Sequence, residues 1–288
     1  MRLRALAKIN LGLDILRKRE DGYHEVRMIM QTIQMYDVLK MKKVKKPGIS
    51  LSVNYPYIPS DERNLVYKAA KLLMDEFQIK EGVLIRLEKF IPVAAGMAGG
   101  SADAAAVLVG VNRMFDLGLS KQALMERAVK IGADVPYCIL RGTALAEGIG
   151  EKLTILPKAP QGYVLIAKPP ISVSTKLVYE KLDSHEIENH PDIDGIIDGL
   201  HDRDITKIAS RMGNVLEKVT IEEYPVIEQI KNVMKEQGAL NAMMSGSGPT
   251  VFGLYETKEK ARKAAAKIRE QQLAKQVYVT GIHNARRK

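Results

Sequence analysis

The 288-residue sequence contains no tryptophan, four phenylalanines and one cysteine, Cys138. A single cysteine cannot form an intramolecular disulfide, which agrees with a protein of the reducing cytoplasm, the location we expect. No run of about eighteen apolar residues is present, so we expect no membrane-spanning helix and no membrane partner. The basic residues Arg2, Arg4 and Lys8 interrupt the apolar residues near the N-terminus, so a signal peptide is not expected.

Aromatic residues are scarce, at 5%, whereas the net charge of +10 is high. A basic protein attracts either nucleic acids or small anionic substrates. Because aromatics are few and a glycine–aromatic RNA-binding motif is missing, we expect a small anion and no nucleic-acid partner. The densest basic run, residues 40–46, alternates with Met41 and Val44, and this pattern predicts the solvated edge of a β-hairpin.

Small residues are concentrated in residues 92–106, between an alternating apolar run that ends at Ile91 and a helical pattern that begins at Ser101. Glycine lets the backbone approach a ligand closely, and the N–H groups of a helix N-terminus bind phosphate. The stretch therefore predicts a phosphate-binding loop; a close-packed turn between helix and sheet is the alternative. It lacks the Lys-Ser/Thr pair of a Walker A loop and the spacing of a dinucleotide-binding loop, and protein-kinase motifs are missing.

The remaining sequence alternates between strand and helix patterns, which predicts an α+β protein. The first part of the chain reads mainly as strands, with a break near residues 8–10. Helices are predicted to begin at Asn64, Ser120 and Ser174, and we expect the side chains of Asn64 and Ser120 at the N-cap. The apolar spacing over residues 205–219 predicts one amphipathic helix.

Two charged residues are candidates for catalysis. Lys8 lies within an otherwise apolar strand pattern, and Asp134 follows a predicted helix end. Each has a simpler explanation, since Lys8 could face solvent and Asp134 could be a cap or turn residue. Next to a phosphate-binding loop they form a coherent set. A carboxylate can accept the proton of an attacking hydroxyl, while a lysine lowers the pKa of that carboxylate and stabilises charge on the transferred group.

Two other motifs give weaker indications of function. His185 and His190 are five residues apart, whereas the histidines of a metalloprotease helix are four apart, so we interpret both as surface residues. A second glycine-rich stretch, residues 245–248, could bind an anion through its backbone N–H groups or form only a tight turn.

In this order the motifs resemble the GHMP kinases, the small-molecule kinases named for galactose, homoserine, mevalonate and phosphomevalonate. The resemblance spans nearly the whole chain and rests on residues 7–11 (Ala-Lys-Ile-Asn-Leu), the loop at residues 92–102, and residues 244–250 (Met-Ser-Gly-Ser-Gly-Pro-Thr). Three shorter stretches are similar to those of family members that act on a cytidine diphosphate-linked methylerythritol. They are Asp-Gly-Tyr-His-Glu from residue 21, Gly-Ala-Asp-Val-Pro from residue 132, and Val-Ser-Thr from residue 173.

The resemblance implies a two-domain α+β fold. Its N-terminal domain would be similar to the second domain of ribosomal protein S5, its C-terminal domain would be ferredoxin-like, and the active site would lie in the cleft between them. The composition changes at residues 157–160, so we expect the domains to cover residues 1–157 and 158–288. We expect a monomer or a weak homodimer.

The implied activity is ATP-dependent phosphorylation, with Mg²⁺, of the 2-hydroxyl of this cytidyl substrate, a step of the non-mevalonate route to isoprenoids. Another member of the family, such as a mevalonate or homoserine kinase, is the alternative. Outside the family, the net charge also permits an RNA-binding protein built on the S5-like domain.

The resemblance also implies roles for individual residues. Lys8 and Asp134 are the implied catalytic pair. The implied ATP-binding residues are Pro92, Val93, Ala94, Ala95, Gly96, Met97, Ala98, Gly99, Gly100, Ser101, Ala102 and, near the adenine, Asn64, for which a helix N-cap is the alternative. The implied substrate-binding residues are Tyr23, His24 and Tyr179 at the cytidine, Asn10 and Thr175 at the polar groups, and Gly246 and Ser247 on the substrate side.

The loop departs from the common family pattern in one respect. Many members carry Gly-Leu-x-Ser-Ser, whereas residues 96–101 here read Gly-Met-Ala-Gly-Gly-Ser. Ser101 is therefore the one serine placed to reach a magnesium ion. Glu147 and Glu151 are candidates for an acidic metal ligand, although neither lies in a recognisable motif.

Overall fold

The computed structural model describes residues 1–185, 187 and 189–285. Strands and helices alternate along the chain, which confirms the predicted α+β class. The strands are β1 (Arg2–Lys18), β2 (His24–Val44), β3 (Gly48–Val53), β4 (Gly82–Glu88), β5 (Thr143–Gly148), β6 (Lys152–Ile155), β7 (Tyr163–Lys168), β8 (Gly213–Asn214), β9 (Asn241–Met244), β10 (Val251–Tyr255) and β11 (Gln276–Gly281). The helices are α1 (Leu65–Glu76), α2 (Gly99–Met114), α3 (Lys121–Ala128), α4 (Val135–Leu140), α5 (Thr175–Leu182), α6 (Ile193–Asp202), α7 (Ile205–Arg211), α8 (Leu216–Glu223), α9 (Val226–Glu236) and α10 (Lys258–Glu270).

One compact unit comprises Met1–Ala7, Met35–Val93 and Ala98–Leu140. In this unit β4 pairs antiparallel with the second half of β2 and parallel with β3. Parallel neighbours need a crossover connection, which α1 provides between β3 and β4. The apolar face of α1 is buried, and α1 packs against α2, whose alanine-rich surface is itself buried.

The basic run at residues 40–46 is not the edge of a hairpin. Strand β2 lies between β4 and β1, and β3 pairs with β4 rather than turning back onto β2. The reason is the crossover through α1, which makes β3 and β4 parallel neighbours. The alternation itself is confirmed, since Lys40 and Lys42 are exposed whereas Met41 is buried.

The second compact unit comprises Lys8–Gln34, Ala94–Met97 and the chain from Arg141 onward. Strands β11, β7, β10 and β9 lie side by side in that order, all antiparallel, and α9 and α10 pack on them. The first half of β2 pairs with β5, which pairs in turn with β6. Strand β8 pairs in parallel with the middle of β1.

Two sequence-based expectations about these elements are wrong. Strand β1 runs without a break through residues 8–10. The single helix expected over residues 205–219 is divided into α7 and α8, because Gly213 and Asn214 adopt extended backbone and pair with β1. Helix α6 was not predicted from the sequence.

The N-caps predicted at Asn64 and Ser120 are confirmed, since each side chain accepts a hydrogen bond from the first turn of its helix. Over the residues that the structure describes, no helix is long and apolar enough to cross a membrane. The division of the chain after residue 157 stays a prediction.

Candidate active site

The loop that precedes α2 has an unusual backbone. Ala94, Gly96 and Ala98 have positive φ angles of 49°, 68° and 53°. Small residues tolerate this left-handed region better than β-branched or bulky ones. Helix α2 begins at Gly99 rather than at Ser101, and its N-cap, Ala98, has no side chain to accept a hydrogen bond from the first turn. The start of α2 therefore keeps the N–H groups and the positive dipole end that an anion needs.

Gly96 is the position of this loop that only glycine can occupy. A Cβ atom there would lie 2.0 Å from the carbonyl oxygen of Ser245, and φ is positive. The Ser245 hydroxyl donates to the carbonyl oxygen of Gly96 at 2.9 Å. The backbone N–H of Lys8 donates to the carbonyl oxygen of Met97 at 3.2 Å. Residues 94–97 are thus held by strand β1 and by the second glycine-rich stretch.

Lys8 is buried, with 4% of its surface exposed, so the solvent-facing alternative for this residue is excluded. Its Nζ atom donates to Oδ1 of Asn10 at 2.7 Å. The same oxygen accepts the backbone N–H of Gly246 at 3.1 Å. Two residues of the predicted substrate set, Asn10 and Gly246, therefore meet directly at the predicted catalytic lysine.

A cavity of about 550 Å³ opens near the start of β2. Four of the predicted substrate-binding residues line it: Tyr23, His24, Thr175 and Tyr179. Tyr23 is 61% exposed, whereas the His24 side chain is 8% exposed and its ring lies 4.8 Å from that of Tyr179, tilted by 49°. The structure thus brings together an imidazole and two phenol rings, a combination that suits a flat heterocycle.

Helix α5 supplies one wall of this cavity because of its residue spacing. Thr175, Tyr179 and Asp183 are four residues apart and lie on one face of the helix and its C-cap. The Thr175 hydroxyl also shares a hydrogen bond of 2.8 Å with the hydroxyl of Ser247. The predicted substrate residues of the second glycine-rich stretch are therefore linked to the cavity wall.

Lys18 and Asp183, which were not predicted from the sequence, also line the cavity. Asp183 Oδ1 lies 2.6 Å from Nε2 of His24, and its Oδ2 accepts from Nζ of Lys18, also at 2.6 Å. The hydrogen bond from Lys18, followed by that from His24, holds the pKa of the Asp183 carboxyl below its usual value. No motif marks either residue, because Lys18 ends an exposed stretch of β1 and Asp183 begins a polar loop.

Asp134 is half-buried and immediately precedes α4. Its carbonyl oxygen accepts the backbone N–H of Cys138 at 3.1 Å, and α4 packs against α2. The side chain of Asn64 caps α1 by accepting the N–H of Val66 at 2.9 Å, and it donates to the carbonyl oxygen of Pro59 at 2.6 Å. The cap function of Asn64 is confirmed, while its contact with adenine stays a prediction.

A buried ion cluster that sequence analysis also missed lies at the start of α2. Nζ of Lys89 donates to Oδ2 of Asp37 at 2.5 Å and to Oδ2 of Asp103 at 2.7 Å. The other oxygen of Asp37 accepts the backbone N–H groups of Phe90 and Ile91. The cluster therefore connects the chain that leads into the loop with the helix that leaves it.

Burial affects the pKa values of two members of this cluster, Asp103 and Lys89. Burial raises the pKa of the Asp103 carboxyl well above its usual value, against the opposing attraction of Lys89. For Lys89, burial alone would lower the pKa, but the attraction of Asp103 and Asp37 outweighs it and the pKa is raised. Oδ1 of Asp103 has no hydrogen-bond partner among the described residues.

Comparison with known proteins decides the family. The model of the GHMP kinases N terminal domain matches residues 64–142, and that of the GHMP kinases C terminal matches residues 196–273. A 4-diphosphocytidyl-2-C-methyl-D-erythritol kinase of Lachnospira eligens is 55% identical over 280 residues, which are 97% of this chain and 97% of that protein. The chain belongs to the GHMP kinase family. The family prediction made from the motifs is confirmed.

Solved structures of GHMP kinases support the fold. A crystal structure of a 4-(cytidine 5'-diphospho)-2C-methyl-D-erythritol kinase is 31% identical, with a TM-score of 0.84 over 99% of this chain and 100% of that one. The mevalonate kinase of L. major, in complex with R-mevalonate, has a TM-score of 0.78 over 100% and 97% of the two chains. At 16% identity that likeness shows the fold alone. The two-domain GHMP kinase fold expected from the sequence is confirmed.

The carboxylates considered as metal ligands have other partners in this GHMP kinase. Glu151 accepts the backbone N–H of Ile149 at 2.7 Å, within the turn between β5 and β6, and Glu147 lies 3.9 Å from Arg27. Within residues 1–185, 187 and 189–285, no group of three His, Cys, Asp or Glu side chains could hold a metal ion.

Proposed function

We propose that this chain transfers the γ-phosphoryl group of ATP to the 2-hydroxyl of 4-diphosphocytidyl-2-C-methyl-D-erythritol, giving the 2-phosphate and ADP, in the non-mevalonate route to isoprenoids. The observation that carries the proposal is the cavity lined by Tyr23, His24 and Tyr179. Aromatic surface and a buried imidazole suit a cytosine ring. Mevalonate and homoserine have no ring to fill such a cavity.

His24 reads the edge of the cytosine. The carboxylate of Asp183 accepts a hydrogen bond from Nε2 of His24, and this fixes the tautomer in which Nδ1 is the acceptor. Nδ1 then accepts from the exocyclic amino group of cytosine, which uracil lacks. Tyr179, at 4.8 Å from the imidazole, and the exposed ring of Tyr23 supply the stacking surface.

Lys8 and Asp134 carry the chemistry. Asp134 accepts the proton of the substrate hydroxyl as the phosphoryl group arrives, and Lys8 counters the negative charge of the transition state. The N–H groups of the loop at residues 92–102 bind the phosphate oxygens of ATP. Ser101 is the candidate side chain that would reach Mg²⁺, which would neutralise phosphate charge when bound.

We also propose the cellular setting. The single cysteine supports a cytoplasmic enzyme. The high charge with few aromatics supports a small-molecule partner rather than a nucleic acid. A monomer or weak homodimer, with domains at residues 1–157 and 158–288, completes the proposal.

The test measures ADP release with the cytidyl substrate, mevalonate and homoserine side by side. We expect turnover with the cytidyl substrate alone. Asp134→Asn should lower kcat by a factor on the order of a hundred or more. Asp116→Asn is the matched control, because Asp116 is exposed in a turn after α2 and its left-handed backbone also suits asparagine.

Turnover with mevalonate or homoserine instead would replace the proposed substrate. Near-normal turnover of Asp134→Asn would remove Asp134 from the mechanism without affecting the substrate assignment. Salt-dependent RNA affinity without any phosphoryl transfer would favour the RNA-binding alternative.

A further inference from the structure

The side-chain amide of Asn214 forms hydrogen bonds with the backbone of residues 244–246, at the second glycine-rich stretch. This side chain is almost fully buried, with 7% of the residue exposed. Its Nδ2 donates to the carbonyl oxygens of Met244 and Gly246, at 2.9 and 2.8 Å, and its Oδ1 accepts the backbone N–H of Leu216 at 3.0 Å. Both amide hydrogens and the amide oxygen are therefore used. Aspartate could not donate these two bonds, although it is similar in shape.

The backbone of Asn214 is attached to the strand that carries Lys8. In the parallel pairing of β8 with β1, Asn214 lies opposite Leu13, and the N–H of Val215 donates to the carbonyl oxygen of Leu13 at 3.1 Å. One residue thus holds β1 through its backbone and the 244–246 stretch through its side chain.

The backbone of Gly246, through its carbonyl oxygen and its N–H, connects Asn214 to the side chain that holds Lys8. Asn214 holds the Gly246 carbonyl, while the Gly246 N–H donates to Oδ1 of Asn10, which also accepts from Nζ of Lys8. On its other side the Asn10 amide meets the sulfur of Met28, a weak acceptor, at 3.3 Å. The orientation of the Asn10 amide therefore depends on the two donors at Oδ1. A flipped amide would direct its NH₂ group at both donors.

We propose that Asn214 is a positioning residue for phosphoryl transfer, acting through the backbone of Gly246 and the side chain of Asn10 on the ammonium group of Lys8. The inference rests on the proposed function, in which Lys8 stabilises the transition state. Asn214→Ala should lower kcat on the order of 10- to 100-fold, the loss expected from a small displacement of a catalytic group. The KM for ATP should change little, since Lys8 acts on the transition state.

The chain offers a matched control in Asn241, at the start of β9. Its Nδ2 donates to the carbonyl oxygen of Ala209 at 2.7 Å, and its Oδ1 accepts the N–H of Ala242. Asn241→Ala removes the same kind of amide from the same unit, without touching the 244–246 stretch. We expect both alanine variants to lower the thermal unfolding midpoint and only Asn214→Ala to lower kcat. Should Asn214→Ala fail to fold, Asn214→Ser, which keeps one donor, should show an intermediate kcat.

A double-mutant cycle tests the route through Asn10. If Asn214 acts through Asn10, the variant Asn10→Ala/Asn214→Ala should lose no more kcat than Asn10→Ala alone, whereas the losses from Asn241→Ala and Asn10→Ala should add. Wild-type kcat in a folded Asn214→Ala enzyme, or additive losses with Asn10→Ala, would overturn the inference. Failure of the wild-type protein to phosphorylate the cytidyl substrate would instead overturn the proposed function. The cycle would then be measured on whichever acceptor the wild type uses.

Discussion

Lys89→Met perturbs the buried cluster at the start of α2 most directly. Lys89 is 5% exposed and bonds to Asp37 and Asp103, both of which are buried. Methionine keeps most of the apolar stem but removes the charge. Asp37 retains its bonds from the N–H groups of Phe90 and Ile91. Asp103 loses the hydrogen bond to its Oδ2, while its Oδ1 is already without a described partner.

Removal of one partner from a buried ion pair costs about 3–5 kcal/mol of unfolding free energy, because a charge is left unpaired in the interior. Asp103 can avoid part of this cost by taking up a proton. Burial already raises its pKa, and loss of the opposing attraction of Lys89 raises the pKa further. An acid whose folded-state pKa exceeds its unfolded value of about 3.9 loses stability as the pH rises through the folded-state pKa. We therefore expect the deficit of Lys89→Met to grow with pH.

The assay is urea unfolding followed by circular dichroism, at about pH 5.5 and about pH 8, for wild type, Lys89→Met, Asp103→Asn and the double variant. In the double variant an amide replaces the unpaired carboxylate. It should recover at least half of the stability lost in Lys89→Met, and its remaining deficit should depend less on pH. If it is as unstable as Lys89→Met at both pH values, the loss does not come from the Asp103 carboxylate, and the reasoning is refuted.

Substitutions at Asn64 and Asp183 test whether these residues contribute to ligand binding. Asn64→Ala should lower the free energy of unfolding by about 1 kcal/mol because the cap on Val66 is lost, whereas Asn64→Ser keeps the cap. A raised KM for ATP in both variants would support the adenine contact. An unchanged KM for ATP in the serine variant would limit Asn64 to capping. Asp183→Asn should raise the KM for the cytidyl substrate and leave that for ATP unchanged, because the lysine pair is lost and the His24 tautomer is no longer fixed. In the wild type this support should fail only as the pH falls through the lowered pKa of Asp183, so a KM for the cytidyl substrate that matches wild type at neutral pH would contradict the role of the carboxylate.

Residues that are unusual for their segment could be recognised from the sequence. A lysine within an apolar strand and glycines before an alanine-rich helix both depart from local preference, and the structure places Lys8 in the interior and gives Gly96 a position that tolerates no Cβ. The beginnings of α1 and α3 were predictable for the same local reason, since each cap is decided by one side chain. Strand pairing was not. Whether residues 213–214 continue a helix or pair with β1 depends on a strand two hundred residues away.

Asp103 shows where sequence analysis had a usable signal that remained incomplete. It lies between Ala102 and Ala104, within the run of buried residues 102–108 of α2. A carboxylate at such a position needs a cation, because an isolated charge in the interior is costly. The sequence alone does not say which of its many basic residues provides that cation. The choice of Lys89 follows from packing: Nζ of Lys89 lies 3.1 Å from where a Cβ of Gly99 would stand, directly beside the start of α2. The cluster thus links Asp37, the chain before the loop and the helix after it. The geometry of the loop therefore depends on charged residues outside the motif that identified it.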